Sequence, residues 1–153
     1  MGDFEKNYNR ALRFLSFRPR SEKEIVDYLK KKKVSEEASK KIIKKLLEYK
    51  FLDEIEFAKM WIVERTTIKP RSWRVIKHEL KEKGISNEII DSIIHDSEFI
   101  IHSDFQIAYA LAEKRAKRYK NLEKRDFFEK IGRYLASKGF SYDTIKEVIN
   151  KIG

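Results

Sequence analysis

The sequence predicts an all-α fold, an elongated tandem array of three three-helix repeats, on three observations. A seven-residue joint between helices occurs three times. Apolar residues recur at helical spacing, and no stretch has strand alternation of useful length. Five glycines and two prolines in 153 residues leave few turns and favour long helices.

The joint reads Leu80-Lys81-Glu82-Lys83-Gly84-Ile85-Ser86 and again Leu135-Ala136-Ser137-Lys138-Gly139-Phe140-Ser141. An earlier copy is Leu29-Lys30-Lys31-Lys32-Lys33-Val34-Ser35. Gly84 suits the left-handed residue past a helix end, with Leu80 and Ile85 as the apolar pair of a Schellman ending. Ser86 follows as N-cap, and Ile85 is placed to staple onto Ile90. Phe140 and Ile145 repeat the staple. In the first copy Lys33 replaces glycine, at about 1 kcal/mol if it turns left-handed, and Ser39 occupies the staple position. The leucines lie 51 and 55 residues apart, a period expected of stacked supersecondary units. The expected units are 1–52, 53–102 and 103–153.

In unit one, Phe4, Tyr8, Ala11, Leu12 and Leu15 mark the first helix, which Phe17-Arg18-Pro19-Arg20 stops. Ser21-Glu22-Lys23-Glu24 is a capping box opening a helix with Ile25, Tyr28 and Leu29 inside. The third helix is expected to bury Ala38, Ile42, Ile43, Leu46 and Leu47, leaving Lys40, Lys41, Lys44 and Lys45 outside. In unit two, Asp53 is expected to cap a helix carrying Phe57, Ala58, Trp61 and Ile62. Trp61 reads as core. After Thr66-Thr67 and a loop, Ser72 caps the helix of Val75, Ile76 and Leu80. Trp73 follows that cap, suited either to stack on a base or to pack on a neighbouring unit. Ile89, Ile90, Ile93 and Ile94 line the next helix. In unit three, Asp104 is expected to cap a helix burying Ile107, Ala108, Leu111 and Ala112. Residues 114–124 are basic and polar. Asp126 and Glu129 read as a capping box before Phe127, Phe128, Ile131, Tyr134 and Leu135. Tyr142, Ile145, Val148, Ile149 and Ile152 close the unit.

The net charge of +10 and pI near 9.6 favour a polyanionic partner. A salt-bridged, heat-adapted surface would explain the charge density, but its positive excess less well. Residues 51–100 are net acidic, yet Arg65 to His78 contains Arg65, Lys69, Arg71, Arg74 and Lys77 with no acid between them. Arg20 occupies the place in unit one that Arg71 occupies in unit two, with Arg18 beside it. Arg65, Lys69, Arg71, Arg74, Lys77, Arg18 and Arg20 are therefore the candidate partner-binding residues. The lysine faces at 30–33 and 40–45 read as solvated flanks.

Catalysis is not expected. Asp53, Glu54 and Glu56 complement a helix N-terminus without needing a metal. His78, His95 and His102 lack zinc spacing, and there is no cysteine. Every glycine is isolated, so no phosphate-cradling loop is present, and no cofactor is expected. The first residues carry no signal-peptide pattern, and the longest apolar runs are far too short for a membrane span. A cytoplasmic setting and a monomer are the expectations.

These residues resemble the RecX family of bacterial RecA regulators. Phe51-Leu52-Asp53-Glu54-Ile55-Glu56-Phe57-Ala58-Lys59-Met60-Trp61 carries most of the resemblance. Pro70-Arg71-Ser72 through Leu80-Lys81-Glu82-Lys83-Gly84-Ile85 matches the basic helix and joint that follow. Ala11-Leu12 to Ser21-Glu22, and Lys138-Gly139-Phe140-Ser141-Tyr142 with Ile145, are similar to the first and last units. The resemblance implies an elongated, curved array that binds along the groove of the RecA–DNA filament, with single-stranded DNA first and double-stranded DNA second as the expected nucleic-acid partners. It implies modulation, usually inhibition, of RecA activity in recombination, DNA repair and the SOS response. Lys33 and Asp126, the latter standing where units one and two have Arg20 and Arg71, depart from the repeat. A tandem helix-turn-helix DNA binder is the alternative class; a metal-dependent nuclease is more distant.

Overall fold

The structure, a computed structural model, describes residues 2–152; Met1 and Gly153, the ends of the first and third expected units, lie outside them. Among the described residues there are nine α-helices and no strand. They are α1 (Asp3–Phe17), α2 (Glu22–Lys31), α3 (Glu36–Glu48), α4 (Glu54–Val63), α5 (Trp73–Glu82), α6 (Asn87–Ile94), α7 (Asp104–Ala116), α8 (Lys124–Ser137) and α9 (Tyr142–Ile152). Among the described residues no helix is long and apolar enough to cross a membrane.

All three joints close as Schellman endings. Ile85 N–H donates to Leu80 O and Gly84 N–H to Lys81 O, each at 2.9 Å. Phe140 and Gly139 repeat the pair onto Leu135 and Ala136, and Val34 and Lys33 onto Leu29 and Lys30. Orphan carbonyls at each helix end are thereby satisfied. Gly84 and Gly139 have φ of 83° and 93°, and Lys33 adopts 61° despite its side chain. Lys50, with φ 59°, closes α3 in the same way through Phe51 N–H to Leu46 O. Ser35, Ser86 and Ser141 then cap the following helices by accepting from Ala38, Ile89 and Thr144 N–H. Ser21 and Glu24 form the expected capping box. Asp53 Oδ1 accepts from Ile55 and Glu56 N–H.

The chain separates into two compact units, whose limits fall within α4, within α5 and just after α6. The first comprises Met1–Trp61 and Leu80–Asp96. One core cluster of this unit is Tyr8, Ala11, Ile25, Leu29, Ile42, Ile43, Leu46 and Leu52. Phe14 stacks on Tyr28 over it, ring centroids 4.3 Å apart. The second comprises Ile62–Glu79 and Ser97–Gly153. Ile107, Ala108, Leu111, Ala112, Ile131, Leu135, Phe140 and Val148 form its core, with Trp73 packed against them. Full burial of each leucine, isoleucine or valine side chain there contributes about 1.5–3 kcal/mol.

Some expected positions differ. Leu47 is exposed, because α3 turns Ser39, Ile42, Ile43 and Leu46 inward and the next residue points about 100° away. Tyr142 is exposed because it opens α9 one turn before Ile145, which does pack on the core. Trp61 is half-buried, stacked on Phe57 at 5.9 Å with Lys83 Nζ above its ring. Ser103, not Asp104, caps α7, in a capping box with Gln106. Asp104 instead accepts Trp73 N–H at 2.8 Å, a tertiary role that displaces the local one. Asp126 and Glu129 form no capping box: α8 starts at Lys124, so Asp126 is already inside the helix, and Glu129 faces Arg125 and Arg133.

The stretch expected as a loop after α4 begins as a π-helical turn, Glu64–Ile68. Thr66 and Thr67 hydroxyls donate to Ile62 and Val63 carbonyls at 2.8 and 2.6 Å. Such back-bonding competes for the carbonyls that a regular helix would use. Lys69 N–H returns to Glu64 O and Arg71 N–H to Arg65 O, which fixes the segment leading to α5.

Candidate nucleic-acid interface

In the second compact unit, the π turn and the residues before α5 lie beside α7 and α8. Ser72 N–H donates to Lys138 O, and Trp73 donates its indole N–H to His102 O at 2.7 Å. Trp73 is thus held by packing and a hydrogen bond, as the packing one of its two sequence readings expects. Between these elements is a cleft of about 640 Å³. Seven of its lining residues are cationic: Lys69, Arg71, Lys114, Arg115, Lys117, Arg118 and Lys138. Ile68, Pro70, Leu111 and Tyr134 complete it, so no carboxylate lines it among the described residues.

The cleft has electrostatic strain of one sign. Lys138 is held below the usual lysine range, by burial first and then by the charges of Arg71, Arg115 and Arg65. Arg115 lies over the Tyr134 ring at 4.4 Å, and Lys138 Nζ approaches the same ring at 5.5 Å. Cation–π attraction offsets part of the repulsion. Arg115 Nε also donates to Tyr119 Oη.

The residues singled out from sequence meet different fates. Lys69 and Arg71 enter the cleft. Arg74 and Lys77 are exposed on α5, with Arg74 also donating to Gly139 O at 3.3 Å. Arg65 lies in the π turn and forms a two-pronged ion pair with Glu79, so the run that lacks acids in sequence has one beside it in space. In the first unit Arg18 pairs with Glu24, and its guanidinium lies 5.9 Å from the Phe57 ring centroid. Arg20 lies 3.8 Å over the Phe14 ring and donates to Phe14 O. Burial and the neighbouring Arg18 hold Arg20 below the usual arginine range. The depression beside them also contains Asp53 and Glu56. Sequence reasoning did not place Lys114, Arg115, Lys117, Arg118 and Lys138 at a site. Their basic run was visible, but its meeting with Lys69 and Arg71 depends on tertiary packing.

A basic protein of tandem three-helix repeats is the class these features define. Three family descriptions match it in order: the first three-helix domain of RecX at residues 8–46, the second at 53–93 and the third at 102–149. The chain belongs to the RecX family. It is 36% identical over 149 residues to the regulatory protein RecX of Bacillus licheniformis, covering 97% of this chain and 56% of that protein. Identity to the Bacillus subtilis regulatory protein RecX is 33%, covering 98% and 56%. The chain thus spans about half the length of these curated relatives. The crystal structure of RecX from Lactobacillus salivarius matches with a TM-score of 0.75 at 31% identity, covering 97% of this chain and 96% of that one.

Proposed function

We propose that this chain binds the RecA–DNA filament and modulates RecA, with inhibition as its direction, in recombination, DNA repair and the SOS response. It acts by binding, not by turnover, as a cytoplasmic monomer. The repeats 1–52, 53–102 and 103–153 each contribute surface to that contact. The observation that carries the reading is the cationic cleft, without a carboxylate among the described residues of its lining, on a member of a family of regulatory proteins. A DNA-bearing filament offers a dense row of phosphates to such a surface. Lys69, Arg71, Arg74 and Lys77 are the candidate contacts on this side, with Arg18 and Arg20 in the first unit. Arg65 acts through its pair with Glu79.

Co-sedimentation with RecA filaments, with and without DNA, tests the reading. The chain should pellet with the filament and lower the RecA ATPase rate. Failure to pellet, combined with tight sequence-selective binding to duplex DNA alone, would establish the tandem helix-turn-helix alternative instead.

A further inference from the structure

Within the cationic cleft, three side chains differ from the flexible lysines at its edge. Lys138 and Arg115 both approach the half-buried ring of Tyr134, at 5.5 and 4.4 Å. Arg71 is half-buried, with Nη1 bonded to Pro70 O at 2.8 Å. Each is thus restrained before any partner arrives. Lys138 is also anchored by its backbone, whose carbonyl accepts from Ser72 N–H. Restrained cations with no carboxylate among the cleft residues repel one another, and an oxyanion between them would relieve that repulsion. Guanidinium groups match a phosphate through paired N–H donors, and an ammonium adds a point charge.

We propose that Arg71, Arg115 and Lys138 form a seat for a single phosphate group, beside the ring of Tyr134. The proposal deepens the reading of the cleft as a nucleic-acid contact, but the seat is measurable with no filament present. A phosphate of a single strand is one source, and free inorganic phosphate is the other. The strand is the better fit, because the cations Lys114, Lys117 and Arg118 continue along the same cleft for neighbouring phosphates. The adjoining hollow, formed by Thr66, Thr67, Ile68, His102, Gln106 and Ala110, is less charged and suits an attached base.

The experiment follows the Tyr134 ring and the arginine Nε–H signals by NMR. The full chain is titrated at constant ionic strength with inorganic phosphate, and separately with a short 5′-phosphorylated single-stranded oligonucleotide. Both should shift Tyr134 and Arg115, with the oligonucleotide at least about tenfold tighter because several phosphates are held. Lys138→Gln should abolish the Tyr134 shift and reduce the salt slope of oligonucleotide binding by about one. Arg71→Gln is the second variant, and Lys151→Gln, on α9, is the control. Equal affinity for both anions would assign the seat to free phosphate. An unchanged Tyr134 and Arg115 on saturation with both anions would overturn the seat, even if the chain still pelleted with filaments. A seat that persists in a chain that does not pellet would overturn the filament reading alone.

Discussion

Arg65 and Glu79 are joined by two parallel hydrogen bonds, Nε to Oε1 at 2.9 Å and Nη2 to Oε2 at 2.8 Å. Both side chains are mostly buried, at 14% and 23% exposure. The pair ties the π turn to α5 within the second unit. Arg65→Ala should therefore lower stability, by about 1–3 kcal/mol, more than it lowers filament affinity. Glu79→Gln should also destabilise, yet leave polyanion association as fast or faster, since it removes a negative charge near the cleft. Denaturant melts alongside association rates at two salt concentrations separate the two effects. A large affinity loss in Arg65→Ala with an unchanged melt would make Arg65 a direct contact.

The three joints provide a graded series. At Gly139 an added Cβ would collide with Val75 Cγ2 and crowd Ser72 Oγ, on top of its positive φ. At Gly84 the nearest neighbour would be Lys23 Cβ at 3.1 Å, an atom fixed to its backbone, so α2 has to yield by a few tenths of an ångström, a milder clash than at Gly139. Gly139→Ala should thus cost several kcal/mol and Gly84→Ala about 1–2 kcal/mol. Lys33→Gly, at φ 61°, should be neutral or stabilising by up to about 1 kcal/mol. Equal losses at all three would mean that left-handed strain and close approach do not set the order.

Glu24 and Glu54 give opposite pH signatures. Burial pushes Glu24 up, but hydrogen bonds from Arg18 and Ser21 N–H, with the charges of Arg18 and Lys83, leave it below the usual carboxylate range. Its stabilisation is present above the unfolded pKa and is lost as pH falls through the folded one. Burial raises Glu54, against a hydrogen bond from Glu22 N–H and with the repulsion of Glu22. The Glu54 contribution is greatest below the unfolded pKa and diminishes as pH rises through the folded one. Glu24→Gln should cost about 1–2 kcal/mol at pH 7 and flatten the acid limb of the stability profile. Glu54→Gln should be neutral or slightly stabilising at pH 7. Melts from pH 3 to 8 check both, and matching profiles would refute the assignment.

The joints were legible because their physics is local. A leucine, a left-handed residue, an apolar residue and a capping serine specify the ending wherever they occur. Even Lys33, with the wrong side chain for the turn, adopts it because Leu29, Val34 and Ser35 remain in place. The Ser103 cap was missed because Asp104 is an equally good local capper, and only the Trp73 backbone resolves the choice. The π turn was hidden for a similar reason: Thr66 and Thr67 read as loop residues until their hydroxyls are seen on Ile62 and Val63. At the candidate site, charge was legible and availability was not. Nothing in the spacing of Arg65 and Glu79 distinguishes a mutual clasp from two exposed side chains on different elements.

Filament contact should divide between two cationic surfaces of the second unit, the exposed side of α5 and the cleft. Arg74 and Lys77 are exposed on α5, while Arg71 faces the cleft. Replacing Arg71, Arg74 and Lys77 together by glutamate reverses three charges that, among the described residues, no carboxylate clasps as Glu79 clasps Arg65. An exposed charge alone contributes about 0–1 kcal/mol, so single reversals should be weak. Three together should weaken filament binding by at least about tenfold, while the loss of three phosphate contacts lowers the salt slope by about 2–3. The melting curve should change little, because Arg74 and Lys77 lie outside the core, Arg74 contributes one exposed 3.3 Å hydrogen bond to Gly139 O, and Arg71 contributes one to Pro70 O. Reversing Lys114, Lys117 and Arg118 instead samples the other wall of the cleft. A strong loss only in the second triple places the contact in the cleft, and a strong loss only in the first places it on α5 and Arg71. Full binding by both folded variants would move the interface to the first unit, where Arg18 and Arg20 are the next residues to reverse.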